Sequence, residues 1–167
     1  MESASSTRFR ILPGLPATGP YPEQYSTSGR GTHREGFVVE LFPPRGNAWV
    51  GNFQKGLSVH SEVLLHPNGV DVIVIAGGQG YWVDAETREM RLTFGVTISG
   101  AITMPGSSRI LFQNAFDIMC FGPSGIEWQT DRLSWDGFRA LAVDDSTLRG
   151  EALNAIDNRW EPFEVDL

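Results

Sequence analysis

Residues 70–84 read Val70-Asp71-Val72-Ile73-Val74-Ile75-Ala76-Gly77-Gly78-Gln79-Gly80-Tyr81-Trp82-Val83-Asp84, and they decide the fold class. The first seven residues are rich in β-branched side chains, which favour a strand buried inside a sheet. Two adjacent glycines follow and permit the positive φ angles of a tight turn. A second apolar run comes directly after the turn, so the segment predicts a β-hairpin.

The same pattern extends in both directions from this hairpin. Short apolar runs alternate with turn residues, and no long run has the periodicity of an amphipathic helix. We expect strands at 37–42, 48–53, 58–66, 70–76, 81–84, 89–94, 96–104, 109–113, 116–121, 126–130, 138–143, 147–153 and 160–167. Pro162 lies inside the last of these, and because proline cannot donate to a sheet ladder, it predicts an edge strand.

The first 36 residues have a different composition. They hold Pro13, Pro16, Pro20 and Pro22, with many Ser, Thr and Gly and few branched apolar residues. Such a composition favours little regular structure. We therefore expect an extended or flexible N-terminal arm at 1–36, lying free or as a strap across the domain, and a single β domain at 37–167.

An internal repeat is visible when residues 71–92 are laid over 108–129 without a gap. Ile73-Val74-Ile75 then falls on Ile110-Leu111-Phe112, and Tyr81-Trp82-Val83 falls on Ile118-Met119-Cys120. Residues 148–167 are a candidate third copy, with an insertion around 154–159. Over residues 58–167 this strand–turn–strand pattern resembles the blades of β-propellers. The resemblance implies an all-β fold of antiparallel meanders with blade-like repeats; a β-sandwich or an irregular barrel fits the same strands.

Charge restricts the partners. The 167 residues carry 13 Lys and Arg against 20 Asp and Glu, a net charge of −7, and Lys55 is the only lysine. Nucleic acids and anionic membrane surfaces require clustered cations, so neither is expected as a partner. A basic protein partner suits the charge of this acidic, bacterial-looking chain. No stretch resembles a signal peptide or a membrane span of about 18 apolar residues, and the expected location is the cytoplasm.

Motifs for catalysis or metal binding are weak, and we predict no catalytic residue, metal or cofactor. His60 and Glu62 lie two apart and share a strand face, but with His66 they do not make a compact ligand set. Cys120 lies in an apolar run and is expected to be a buried structural thiol. The glycines at 77–80 precede a strand rather than a helix, which indicates a hairpin and not a phosphate loop.

The tryptophans are the most informative candidates for a binding site. Trp provides a large contact area at low entropic cost, and we single out Trp82, Trp128, Trp135 and Asp136 as ligand-binding residues. The leading hypothesis is a non-catalytic interaction module that binds a protein, with an immunity-type role as one form. The alternatives are a hydrolase that acts on carbohydrate through paired carboxylates, and a self-assembling structural β module that forms homo-oligomers.

Overall fold

The chain is all-β, as the sequence predicts. The computed structural model describes residues 7–28, 31 and 33–167; these form fifteen β-strands and no helix. None of the described segments is therefore a helix that could cross a bilayer. The chain divides into two compact units, Met1–Val96 and Thr97–Leu167, and each unit contains two sheets.

Sheet 1 opens the first unit. Its strands are β1 (Phe9–Ile11), β2 (Glu23–Tyr25), β3 (Phe37–Leu41) and β4 (Trp49–Phe53). They lie in the order β1-β3-β4-β2; β3 is antiparallel to β1 and β4, and β2 is parallel to β4.

A connection over sheet 1 follows from this strand order. Because β1 and β2 lie at opposite edges, residues 12–22 between them must cross β3 and β4. We call this crossing segment the strap. The stretch expected to be an arm thus contributes two strands and a crossover, while its residues 1–6, 29, 30 and 32 lie outside the described residues.

Sheet 2 is a meander of four consecutive strands: β5 (Glu62–Leu65), β6 (Val72–Ala76), β7 (Gln79–Val83) and β8 (Met90–Phe94). All five residues of β6 are buried, which matches its β-branched sequence. The strand expected at 58–66 is shorter than predicted. Its first residues bond to the β6–β7 turn instead, through Ser58 N–H to Gly77 O and Gly78 N–H to His60 O, both 2.9 Å.

The core of the first unit lies between sheets 1 and 2. Alternate residues of β3, β4, β6 and β7 point into it, as the two-residue period of a strand requires. The buried members are Tyr25, Val39, Leu41, Trp49, Phe53, Val63, Val72, Val74, Ala76, Tyr81 and Val83. Tyr25 stacks on Phe53 at 4.8 Å between ring centroids.

The second unit begins with another four-stranded meander, sheet 3. Its strands are β9 (Gly100–Thr103), β10 (Ile110–Gln113), β11 (Ile118–Gly122) and β12 (Gly125–Gln129). Sheets 2 and 3 are therefore both antiparallel meanders of four consecutive strands. The gapless overlay does not keep the cross-strand pairs, because the β6–β7 loop holds two residues (77–78) and the β10–β11 loop holds four (114–117).

Sheet 4 completes the second unit. Its strands β13 (Phe138–Asp144), β14 (Thr147–Asn154) and β15 (Arg159–Asp166) lie in sequence order, so β15 is an edge strand and the prediction from Pro162 is confirmed. Sheets 3 and 4 share a buried cluster that includes Leu111, Ile118, Cys120, Phe138 and Leu148. Burial raises the pKa of the Cys120 thiol, in keeping with the expected structural role.

Candidate functional site

The predicted ligand-binding residues lie in different environments. Trp82 of β7 is partly buried in the first unit, and its indole N–H donates to Asp71 Oδ2 at 2.7 Å. The His66 ring stacks on it at 4.2 Å between centroids. The indole N–H and one ring face of Trp82 thus contact Asp71 and His66, which flank the β5–β6 turn. Trp82 therefore stabilises this turn.

Trp128 belongs to β12 in the second unit. It lies opposite Cys120 of β11 and packs against the core cluster of that unit, with partial exposure. Its neighbour Glu127 forms a salt bridge with Arg109 at 2.6 Å. The ring of Trp128 is therefore mainly part of the packing between sheets 3 and 4.

Trp135 and Asp136 lie together on a short loop before β13, residues 134–137, which we call the Trp135 loop. Its anchor is the buried Ser134 hydroxyl, which donates to Gly137 O and accepts from the Leu153 N–H at 3.1 Å. The backbone N–H of Trp135 also donates to the backbone carbonyl oxygen of Leu153 at 3.0 Å. The loop is thus fixed to β14, and it holds the Trp135 side chain 49% exposed.

A hollow of about 160 Å³ opens beside this loop. Trp135, Asn154, Glu161 and Phe163 contribute to its walls, and Asn154 donates to Glu161 Oε1 at 3.1 Å. The Arg132 guanidinium lies 5.1 Å from the Trp135 ring centroid and 4.5 Å from that of Phe116, so the chain's own cation already covers part of this indole. An exposed aromatic ring beside carboxylate and amide oxygens suits a positively charged group.

The charge of the chain is concentrated in the second unit. Residues 97–167 carry five arginines against eleven Asp and Glu, a net charge of −6, while residues 1–96 carry eight cations against nine carboxylates. Asp131 and Asp136 are both exposed and have no salt-bridge partner among the described residues. The Trp135 loop therefore lies in the negative half of the molecule.

The other predicted clusters are organised differently. His60 Nε2 and Glu62 Oε2 lie 3.1 Å apart, as their spacing suggested, whereas His66 is buried under Trp82. Within the described ranges, no three His, Cys, Asp or Glu side chains are arranged to hold a metal ion. Among the carboxylates that a hydrolase could use, Asp145 and Asp157 lie in the β13–β14 and β14–β15 connections, and Asp144 and Asp166 lie at the ends of β13 and β15.

A second concave site lies under the strap in the first unit, and the sequence reasoning missed it. This groove has a volume of about 410 Å³, within the range of about 300–1,000 Å³ common for small-molecule sites. Its walls come from the strap, from strands β1 to β4, from the β3–β4 connection and from the β7–β8 turn. The lining residues that carry chemistry are Arg10, Tyr21, Glu23, Glu40, Asn47, Trp49 and Arg88.

Two ion pairs lie along this groove. Arg10 on β1 faces Glu40 on β3, and Arg10 Nε donates to Glu40 Oε2 at 2.9 Å. Arg88 Nη1 donates to Glu23 Oε1 at 3.2 Å. Each cation is matched by a carboxylate, so the groove has many donors and acceptors but little net charge.

Trp49 and Arg88 are positioned by the β7–β8 turn. Burial acts to raise the pKa of Asp84, but hydrogen bonds from Thr87, Arg91 and Glu86 lower it below its usual value. The ionised Asp84 thereby holds the turn in which Ala85 O accepts the Trp49 indole N–H at 2.8 Å. Arg88 has a φ of 63° and places its guanidinium 5.5 Å from the Trp49 ring centroid.

Comparison with protein-family models and with the sequences of curated proteins finds no match. A function for this chain must therefore be inferred from the geometry of the described residues.

Proposed function

We propose that this chain is a non-catalytic protein-binding module whose second unit binds an arginine- or lysine-rich segment of a partner at the Trp135 loop. The observation that carries the proposal is the half-exposed Trp135 beside an acceptor-lined hollow, in a unit of net charge −6. Exposed Trp residues in such positions often dominate binding energy. An immunity-type role, in which an acidic protein covers a basic partner, is one form of this function.

Local chemistry supports a cationic ligand. The hollow offers the Glu161 carboxylate and the Asn154 side chain, and Asp136 adjoins Trp135 in the loop. A guanidinium or ammonium group in the hollow would interact with the Glu161 carboxylate and with the part of the Trp135 ring that Arg132 leaves exposed. Long-range attraction by the negative unit would also increase the association rate at low ionic strength.

The test is fluorescence anisotropy of labelled hexa-arginine with the full-length chain, against hexa-glutamate. We expect hexa-arginine to bind, and we expect its affinity to decrease as salt is added. Trp135→Ala should weaken binding about tenfold, and Asp136→Asn should weaken it several-fold. Asp145→Asn, which removes an equal charge from an exposed turn, is the matched control and should change little.

Two results would contradict the proposal. Equal losses in Asp136→Asn and Asp145→Asn would show only general attraction between opposite charges. Unchanged binding by Trp135→Ala would place the contact elsewhere on the surface.

We also propose that the protein works in the cytoplasm. Its one cysteine, Cys120, is fully buried in β11, so the fold does not use a disulfide within the chain. Fractionation of native cells followed by immunoblotting tests this location, and recovery outside the cytoplasmic fraction would contradict it.

A further inference from the structure

The groove under the strap lies in the first unit, whereas the Trp135 loop belongs to the second, and nothing in the proposed function uses the groove. The strap is stiffened by Pro13, Pro16, Pro20 and Pro22, each of which fixes its own φ near −65°. Two hydrogen bonds hold it in place: the Leu12 N–H donates to Val38 O of β3 at 3.0 Å, and the Leu15 N–H donates to Oε2 of Glu35, which precedes β3, at 2.8 Å. The cavity is thus largely pre-formed, which lowers the entropic cost of binding a ligand.

The ion pairs of the groove disfavour a charged ligand. An anion close to Arg10 or Arg88 would be repelled by the adjacent Glu40 or Glu23, and a cation close to either carboxylate would be repelled by the adjacent arginine. A ligand with a net charge therefore gains little net attraction from either pair. The ligand that fits this groove is therefore neutral.

The same ion pairs favour hydroxyl groups. Arg10 uses Nε and Nη2 on a single oxygen of Glu40, so Arg10 Nη1 and Glu40 Oε1 remain for a ligand. A hydroxyl both donates and accepts, so one hydroxyl can accept from the guanidinium while its neighbour donates to the carboxylate. Asn47 adds an amide with both functions at the same groove.

An apolar surface completes the site. The Tyr21 side chain is 82% exposed on the strap, and Pro16, Pro20 and Val50 also line the groove. Such a wall suits a ligand with C–H faces between its hydroxyl groups. From these features we propose that the groove formed by the strap, Arg10–Glu40 and Tyr21 binds a neutral saccharide.

The test is an NMR titration of the ¹⁵N-labelled full-length chain with glucose, N-acetylglucosamine, maltose and cellobiose, each up to tens of millimolar. Glucuronate and glycine serve as the anionic and zwitterionic comparisons. We expect at least one neutral saccharide to shift the Trp49 indole N–H signal and the backbone signals of the strap in a saturable way. Glucuronate and glycine should bind more weakly.

Variants locate the contact. Tyr21→Ala should weaken saccharide binding about tenfold, Tyr21→Phe should keep most of it, and Glu40→Gln should weaken it because an acceptor is lost. Leu57→Ala is the control, since Leu57 is exposed in the same unit and does not line the groove. Hexa-arginine binding should be unchanged in Tyr21→Ala, so that this site and the Trp135 loop are judged separately.

Three outcomes would overturn the inference. They are the absence of a saturable shift with every neutral saccharide, tighter binding of glucuronate or glycine, and undiminished affinity in Tyr21→Ala.

Discussion

The tryptophan residues show how the fold gives one side-chain type different roles. Trp49 donates its indole N–H to Ala85 O, and Trp82 donates to Asp71 Oδ2. Trp160 lies under the Arg139 guanidinium at 4.6 Å. Trp135 is half exposed on its loop. Composition does not distinguish these four residues, because what packs on the strand or loop that carries each one sets its exposure.

His66 provides a residue-scale prediction. Burial lowers its pKa below the usual 6.5, although the hydrogen bond with Asn68 and the charge of Asp71 act in the opposite direction. The folded state therefore favours the neutral ring, whose Nδ1 accepts the Asn68 N–H at 3.0 Å. As the pH falls below about 6.5, His66 binds a proton more readily in the unfolded chain than in the folded one, so the free energy of unfolding decreases.

We expect the free energy of unfolding to decrease between pH 7.5 and pH 5, and His66→Gln to flatten this dependence. Urea titrations at several pH values measure it. His60→Gln, which changes a partly exposed histidine outside the Trp82 stack, is the control and should keep the slope. An unchanged slope in His66→Gln would assign the effect to other groups.

Among the elements, the β6–β7 hairpin follows most directly from the sequence. Gly77 and Gly78 have φ angles of 51° and 87°, which is the conformation that a two-residue hairpin loop requires. A Cβ on Gly78 would lie 2.6 Å from Ser58 Oγ and 2.8 Å from Val96 O. Gly78 is therefore needed for its positive φ angle and because Ser58 and Val96 leave no space for a side chain.

Gly78→Ala should therefore reduce stability by about 2–4 kcal/mol, the sum of backbone strain and overpacking. Gly106 also has a positive φ, 69°, but no atom lies within 4 Å of the Cβ position. Gly106→Ala should cost only about 1 kcal/mol. Chemical denaturation of both variants measures the difference, and equal losses would show that packing around Gly78 contributes nothing.

The β15 edge bears on the alternative of self-assembly. The Leu167 N–H bonds to Ser146 O at 2.7 Å, on the side of β14. The backbone N–H groups of a strand point alternately to its two sides, so the nitrogens of residues 160, 162, 164 and 166 face the open edge. Proline at 162 removes one of these outward donors without loss of a bond to β14.

We expect Pro162→Thr to leave stability nearly unchanged and to increase self-association, because it restores a donor at an exposed edge. Sedimentation velocity over a range of protein concentrations measures this. Glu164→Thr is a comparison that removes a charge but adds no donor. A monomer in Pro162→Thr at high concentration would show that the proline does not protect this edge.

At the scale of the whole molecule, each unit has a core of its own. Val96 O accepts the Leu57 N–H at 2.8 Å within the first unit, and Thr97 Oγ1 accepts the Ala115 N–H at 3.2 Å within the second. The boundary between the units therefore falls between two adjacent residues. Domains of this size bury enough surface to be marginally stable alone.

We accordingly expect residues 1–96 and 97–167, expressed as separate chains, each to give a β-type circular dichroism spectrum and a cooperative thermal transition. Each fragment should melt below the full-length protein, since small domains are less stable. A fragment with the spectrum of an unfolded chain would show that its core needs the other unit.

The sequence by itself determined the features that depend on neighbours along the chain. The β-branched run at 72–76, the Gly77-Gly78 turn and Pro162 act through local backbone geometry, and they predicted the all-β class, the central hairpin and the edge strand. The prediction of a strand was wrong at 58–60, because these residues form hydrogen bonds with the β6–β7 turn instead of with a neighbouring strand.

Only the tertiary structure decided the sites. The groove joins Arg10, Tyr21, Glu40, Trp49 and Arg88, which are spread over nearly eighty positions and meet because the strap crosses sheet 1. Likewise, Trp135 is exposed because Ser134 fixes its loop to β14. Strand order and register set which side chains share a face, and a shift of one residue reverses the face; these depend on packing between distant segments, which no local pattern encodes.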